Sequence, residues 1–286
     1  MGEKLDYFKF RNVQNPLGIL FHPKAIENLM LRALDQKHFE EEALFYHNER
    51  WHCFDAHSDL SQVSKVQLLQ DLNHALGLTN RQIRVATHIL LTLGTAWCYR
   101  HKKTDVLVAN CHKVPQGEFN KELLSIASIV KSLQSIIERI RSVNSKAQVI
   151  FTVSPVRHLK DGFMENQRSK AHLLAAVHEC LEMSSLDLSL TYFPSFEILM
   201  DELRDYRFYK EDMVHPNPLA VAYIWEKFRE AWISKTVYSE MDKVDLVQKG
   251  LAHLPFNPDS QGYQKFKKSL QGKITYLKRA YPFMEF

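Results

Sequence analysis

Late in the chain stands the run Asp212-Met213-Val214-His215-Pro216. On a turn, an aspartate three residues before a histidine can reach the imidazole Nδ1 and fix its tautomer. Nε2 is then left to take a proton from a hydroxyl. A helix-entry turn, with Asp212 bonding backbone amides and His215 packed, would use the same residues. Catalysis therefore needs a nucleophile from elsewhere. Polar residues gather at three further points: Gly94-Thr95-Ala96-Trp97, Asn110-Cys111-His112-Lys113 and Ser154-Pro155-Val156-Arg157-His158. Arg157 and His158 are placed to line a pocket mouth. The guanidinium could anchor a carboxylate or sugar hydroxyls, or pair with Asp201, Glu202 or Asp205. Cys111 reads as a small, partly buried thiol. Ser154 precedes a proline and lacks a G-x-S-x-G elbow, so it reads as a turn residue. His47, His52 and His57 show no H-x-x-x-H spacing and read as surface histidines, with no metal or cofactor expected.

The elements that must position these groups follow from periodicity. Ser64–Leu78 places Val66, Leu69, Leu72 and Leu76 on one helical face, with Ser64 as cap and Gly77 as stop. Val85–Leu93 is a β-branched apolar run that reads as a buried strand. Lys121–Val143 carries a helical stripe flanked by Asn120 and Asn144, and Ala147–Val153 is a second buried strand. Asp105–Ala109 is hairpin-like. Glu165–Met183 reads as a helix and Leu188–Phe193 as a short strand. Asn217-Pro218 opens a last helix through Ile233. Strands separated by long amphipathic helices imply βαβ units and a parallel sheet, whose chemistry gathers at the strands' carboxyl ends. Each polar cluster lies just after a strand or just before a helix. Tyr192, Tyr206, Phe208 and Tyr209 read as core and pocket wall.

Composition narrows the classes. The 286 residues carry a formal charge of only +4, with 45% hydrophobic and 24% charged side chains, as in an ordinary globular protein. Nine glycines are too few for Gly-rich phosphate cradles. Cys53, Cys98, Cys111 and Cys180 form no C-x-x-C pair, which suits reduced cytoplasmic thiols. Met1–Phe10 has no apolar signal core, and no run approaches a membrane span. The tail from Lys235 reads as a helical extension (235–286) with a cationic end at Lys265, Lys267, Lys268, Lys273, Lys278 and Arg279. Glu240, Asp242, Asp245 and Asp259 dilute that charge, so nucleic acid is not an expected partner.

Eight ordered blocks carry a resemblance: NPLGIL (Asn15–Leu20), HSDLS (His57–Ser61), TLGTAWCYR (Thr92–Arg100), VANCHKVP (Val108–Pro115), SPVRHLKDG (Ser154–Gly162), ENQRSKA (Glu165–Ala171), DELRDYRFY (Asp201–Tyr209) and DMVHP (Asp212–Pro216). Together they resemble the GSCFA-domain family, a bacterial branch of the SGNH/GDSL hydrolases. The resemblance implies an α/β fold over residues 1–234, a three-layer α/β/α sandwich with a mainly parallel sheet. It assigns Asp212 and His215 to the triad and a backbone N–H at Gly18 to the oxyanion. The usual G-x-N-D block stands here as Gly94-Thr95-Ala96-Trp97. Ala96 has no donor, so Asn110 is the substitute, unless it is a turn residue.

The Gly-Ser-Cys-Phe-Ala run that would end the first strand and supply the serine is absent from this sequence. Two explanations stand, a chain beginning just past the catalytic turn and a variant without the chemistry. On either, His215 lacks its hydroxyl, and the sheet lacks a first strand whose neighbours lose ladder partners. The implied function is an SGNH-type esterase or acyltransferase acting on a small-molecule or carbohydrate ester, inactive as given. The alternative is a binding protein that keeps the cleft.

Overall fold

The computed structural model describes residues 1–184 and 187–286. In chain order the elements are α1 (Gly2–Tyr7), α2 (Pro23–Leu34), β1 (Leu44–His47), β2 (Arg50–Cys53), α3 (Lys65–Val85), β3 (His88–Leu93), β4 (Trp97–His101), β5 (Val106–Val108), β6 (Phe119–Leu123), α4 (Ile126–Val143), β7 (Gln148–Val153), α5 (Gly162–Met183), β8 (Leu190–Tyr192), α6 (Ser195–Glu197), α7 (Pro218–Trp232), α8 (Tyr238–Ala252) and α9 (Gln261–Ala280). The protein is α/β. One sheet is parallel, in the order β3-β7-β8, and a second is antiparallel, in the order β5-β4-β6. A β1–β2 hairpin turns at Asn48 and Glu49, both with positive φ, the backbone that a two-residue hairpin loop demands.

β7 is the middle strand. Val149, Ile150, Phe151 and Val153 on it are all 0% exposed, as expected of a parallel strand covered on both faces. It pairs in register with β3, from His88 opposite Gln148 to Leu93 opposite Val153. Gly94 and Ser154 therefore leave the sheet at the same level. α4 is capped by Ser125, whose Oγ accepts the Ser128 N–H, and buries Ile129, Leu133, Ile136 and Ile140 as one stripe.

The structure differs from the sequence expectations in instructive ways. α3 runs through Gly77 to Val85, because Thr79 and Ile83 continue the buried face. A glycine stops a helix only when it turns left-handed, and here the stop is extended Ala86. Val85 thus closes a helix instead of opening β3, and Val66 is 64% exposed instead of joining the buried face. Lys121–Leu123 belong to β6, because two-residue alternation there mimics the first turn of a helical stripe. The parallel arrangement is confined to three strands, since β4–β6 form a separate antiparallel sheet between β3 and α4.

Residues 15–221 make up one compact unit, and residues 1–14 with 222–286 another. In the second, Val244, Val247, Ile274, Leu277 and Met284 form a small core. The Tyr7 hydroxyl donates to Asp245 Oδ1 at 2.8 Å, and Gln248 Nε2 donates to the Tyr7 carbonyl at 2.9 Å. Among the described residues no helix is long and apolar enough to cross a membrane.

Leu133 is fully buried while Val66 is not. Leu133→Ala is therefore expected to cost about 2–5 kcal/mol and Val66→Ala less than about 0.5 kcal/mol, read from urea midpoints. Equal costs would contradict the assigned faces.

Candidate active site

The Asp212–His215 turn is built by its own backbone. Lys210 N–H donates to the His215 carbonyl at 2.8 Å, Met213 N–H donates to the Lys210 carbonyl at 2.9 Å, and Tyr209 bridges Pro216. Met213 takes a positive φ of 55° to close it. Asp212 Oδ1 accepts the amides of Val214 and His215 at 2.8 and 2.9 Å, while Oδ2 meets His215 Nδ1 at 2.7 Å. The His215 amide, the Val214 amide and the imidazole together hold the Asp212 carboxyl down at about 2. Nδ1 is thereby the protonated nitrogen. Nε2 has no hydrogen-bond partner among the described residues. Asn217 then caps α7, its Oδ1 accepting the Ala220 N–H at 3.0 Å.

Arg157 braces this turn. Its Nη1 donates to the Met213 carbonyl at 2.9 Å, and its guanidinium lies 4.2 Å from the Tyr209 ring centroid and 5.4 Å from that of Tyr206. Asp205, one of the acids considered as its partner, pairs with Arg207 at 2.9 Å.

Beneath the turn, one face of α5 reads the ends of both strands. Lys170, 1% exposed, donates to the carbonyls of Gly94 and Ser154, each at 2.6 Å. Among the described residues no carboxylate faces it, and burial pushes its pKa down to about 7. Ser169 Oγ accepts the Ala96 N–H at 2.7 Å and meets Thr95 Oγ1 at 3.0 Å. Asn166 Oδ1 accepts the His158 N–H at 2.8 Å, and the Glu165 carbonyl accepts the Trp97 indole N–H at 3.1 Å. Sequence reasoning did not single out these four residues. Their signal was polar residues at i, i+1, i+4 and i+5 on a helix whose neighbouring positions are core.

His158 faces Gly94, whose position for a Cβ lies 3.4 Å from His158 Nε2. Its pKa is lowered to about 4 by burial first, then by Lys170 and by His215, so the ring is neutral near pH 7. Gly18 has φ +75°, and a Cβ there would stand 2.2 Å from the His57 Cβ, so only glycine lets these two blocks meet. The Gly18 N–H donates to the Asn15 carbonyl at 2.7 Å, and the Gly94 N–H donates to the Phe21 carbonyl at 2.8 Å. Both amides are therefore engaged within the fold. Asn110 differs. Its Oδ1 accepts the His112 N–H at 2.8 Å and lies 3.2 Å from the Ser58 hydroxyl, which leaves Nδ2 without a partner among the described residues. Asn110, Cys111 and His158 line one cleft of about 600 Å³.

Three further histidines have structural work. His22 caps α2 through Nδ1, which accepts the Ala25 N–H at 3.2 Å, so the proton sits on Nε2 and bonds the Val108 carbonyl at 3.0 Å. His52, expected at the surface, is instead buried with His112, their ring centroids 4.7 Å apart. His52 Nδ1 meets Ser61 Oγ and His112 Nε2 donates to the Cys53 carbonyl, both at 2.7 Å. No group of three metal-ligating side chains occurs among the described residues. Burial raises the Cys111 thiol to about 11, which makes it a poor nucleophile near neutral pH.

Lys170 titrates at about 7 in the fold against 10.5 for a free side chain. Between those values the unfolded chain binds more protons, so stability rises with pH there, by at most about 1.4 kcal/mol per unit. Relative to Lys170→Met, the wild type is expected to gain stability from pH 7 to pH 9 in urea titrations. A pH-independent difference would contradict the lowered pKa.

A GSCFA family model matches residues 1–228, and a GSCFA domain protein C-terminal domain model matches residues 244–286. No curated protein and no solved structure matches the chain. The Asp212–His215 turn, the Arg157 brace and the α5 contacts all lie inside the first of those spans, and the chain belongs to the GSCFA family.

Proposed function

We propose that residues 1–234 carry the acid–base part of an SGNH-type acyl-ester centre, on a three-layer α/β/α frame with a helical extension at 235–286. The observation that carries this reading is the 2.7 Å contact between Asp212 Oδ2 and His215 Nδ1, with Nε2 left without a partner among the described residues. A serine hydroxyl placed at Nε2 would lose its proton to His215 as its oxygen attacks the ester carbonyl. The imidazolium, steadied by Asp212, would then hand that proton to the departing alcohol, and water would release the acyl group by the same route. Transfer to a second alcohol uses identical steps.

The oxyanion needs donors that the fold has not already used. Asn110 Nδ2 and the neutral His158 ring meet that requirement. Gly18 and Gly94, with their amides engaged, act by permitting close approach at the rim. The substrate class proposed is a small-molecule or carbohydrate ester.

The serine belongs to a Gly-Ser-Cys-Phe-Ala run that this sequence does not contain. The unpartnered Nε2 also supports a second reading, a protein that binds the ester without turning it over. The 286-residue chain is therefore expected to hydrolyse 4-nitrophenyl acetate no faster than buffer. Labelling of any of its serines by a phosphonate would show that the nucleophile lies elsewhere. In a chain extended by a Gly-Ser-Cys-Phe-Ala strand ahead of Met1, ester turnover should appear, and His215→Ala should lower kcat about 10³-fold or more. Undiminished turnover in that variant would remove His215 from the mechanism. Asp212 keeps its charge down to about pH 2, so Asp212 itself should add no acid limb to the rate profile above that pH.

A further inference from the structure

The cleft beside His158 has a floor and a charge that the ester reading does not use. Trp97 and Tyr99 stand two residues apart on β4 and so face the same side, and both line the cleft. Phe119 on β6 meets Tyr99 edge-on at 6.4 Å. The bond from the Trp97 indole N–H to the Glu165 carbonyl fixes the ring plane. Flat, half-buried aromatic faces of this kind take the apolar face of a ring.

Three lysines line the same cleft, Lys113, Lys121 and Lys160, against one acidic residue, Asp161. Asp161 is taken by Lys121, which also lies 4.3 Å from the Trp97 ring centroid. Among the described residues Lys160 pairs with no carboxylate, and its ammonium lies 6.0 Å from the Tyr99 ring centroid. The Lys113 ammonium has no partner among the described residues. Lys113 and Lys160 are both exposed, so the site carries two uncompensated positive charges at the open rim of the cleft, where salt screens them. Cys111 adds no negative charge, because its thiol is protonated near pH 7.

Lys113 is also placed at a cost. It and His112 both adopt positive φ, 60° and 50°, a backbone that non-glycine residues hold only when their surroundings impose it. Here Asn110 Oδ1 and the Cys53 carbonyl impose it by holding the amide and ring of His112. The same Asn110 is the one that offers its free Nδ2 to the cleft. Lip and donor are thus set by one hydrogen-bonded unit.

We infer that this cleft binds an anionic ring, a saccharide-like ester bearing a carboxylate or phosphate. The ring lies on Trp97 and Tyr99, and the anionic oxygens face Lys113 and Lys160. The position of the acyl group near His158 rests on the proposed ester chemistry, whereas ring and charge recognition do not. The inference is tested by binding, without turnover, using methyl β-glucoside, methyl β-glucuronoside and methyl β-glucoside 6-phosphate, which differ only at C6. Equilibrium dialysis at low salt is expected to show at least one anionic glycoside bound about 5-fold or more tightly than the neutral one. The preference should shrink toward unity at about 0.5 M salt. Which anion gains more distinguishes carboxylate from phosphate. Lys113→Gln combined with Lys160→Gln should abolish the preference and leave binding of the neutral glycoside unchanged. Equal affinity for all three, a preference that survives in the double variant, or no binding of any up to about 10 mM would each overturn the inference. None of these outcomes bears on the role of His215, which is read from ester turnover.

Discussion

A single buried lysine amine holds the rim of this sheet together. Lys170 donates to Gly94 and Ser154, the residues that follow β3 and β7, and among the described residues it has no carboxylate to offset its burial. Two carbonyl dipoles must do what an opposite charge would otherwise do, and burial still pulls the group down to about 7. That arrangement works only because β3 and β7 run parallel and in register, so their exits lie level. An apolar residue at this position would leave two carbonyls without donors in a dry environment, each costing about 1–3 kcal/mol. Everything that lines the cleft from this side, including His158 and Thr95, follows directly from those two strand ends.

The sequence made part of this legible. β7 and the later half of α4 were readable because burial on both faces, or on one stripe, leaves an unambiguous apolar signature. The D-x-x-H turn was readable as a carboxylate–imidazole pair because its short spacing lets one carboxylate serve two amides and a ring. β6 was not readable as a strand. It covers five residues, Phe119–Leu123, too few for its period to be separated from the turn of helix that follows. The end of α3 was misplaced because glycine signals a stop through its φ, and φ is not written in the sequence. The roles of Gly18 and Gly94 could not be settled from motif position alone, since whether an amide is free depends on which carbonyl folds against it.

Lys170 and Ser169 were hidden for a different reason. In sequence they look like solvent-facing members of a polar helix, and only the packing of α5 against the strand ends turns them inward. Arg157 shows the same limit. Whether its guanidinium meets substrate, acid or backbone was open, and the structure sets it on the Met213 carbonyl and the Tyr209 ring. Neutral imidazoles recur around the cleft. His22 and His158 line it and His112 backs its lip, and each is pushed below its ordinary value by burial. Such rings hold a fixed proton on one nitrogen, so they serve as oriented dipoles where lysines supply the net charge.

Glu165, Asn166, Ser169 and Lys170 sit on one helix and grip four separate points of the sheet rim. A helix advances 1.5 Å per residue, and none of these grips tolerates a shift of that size. A one-residue slip of α5 would break all four contacts at once, like a key pushed one notch too far in its wards. The position of α5 along its axis and the geometry of the rim are therefore set by the same contacts.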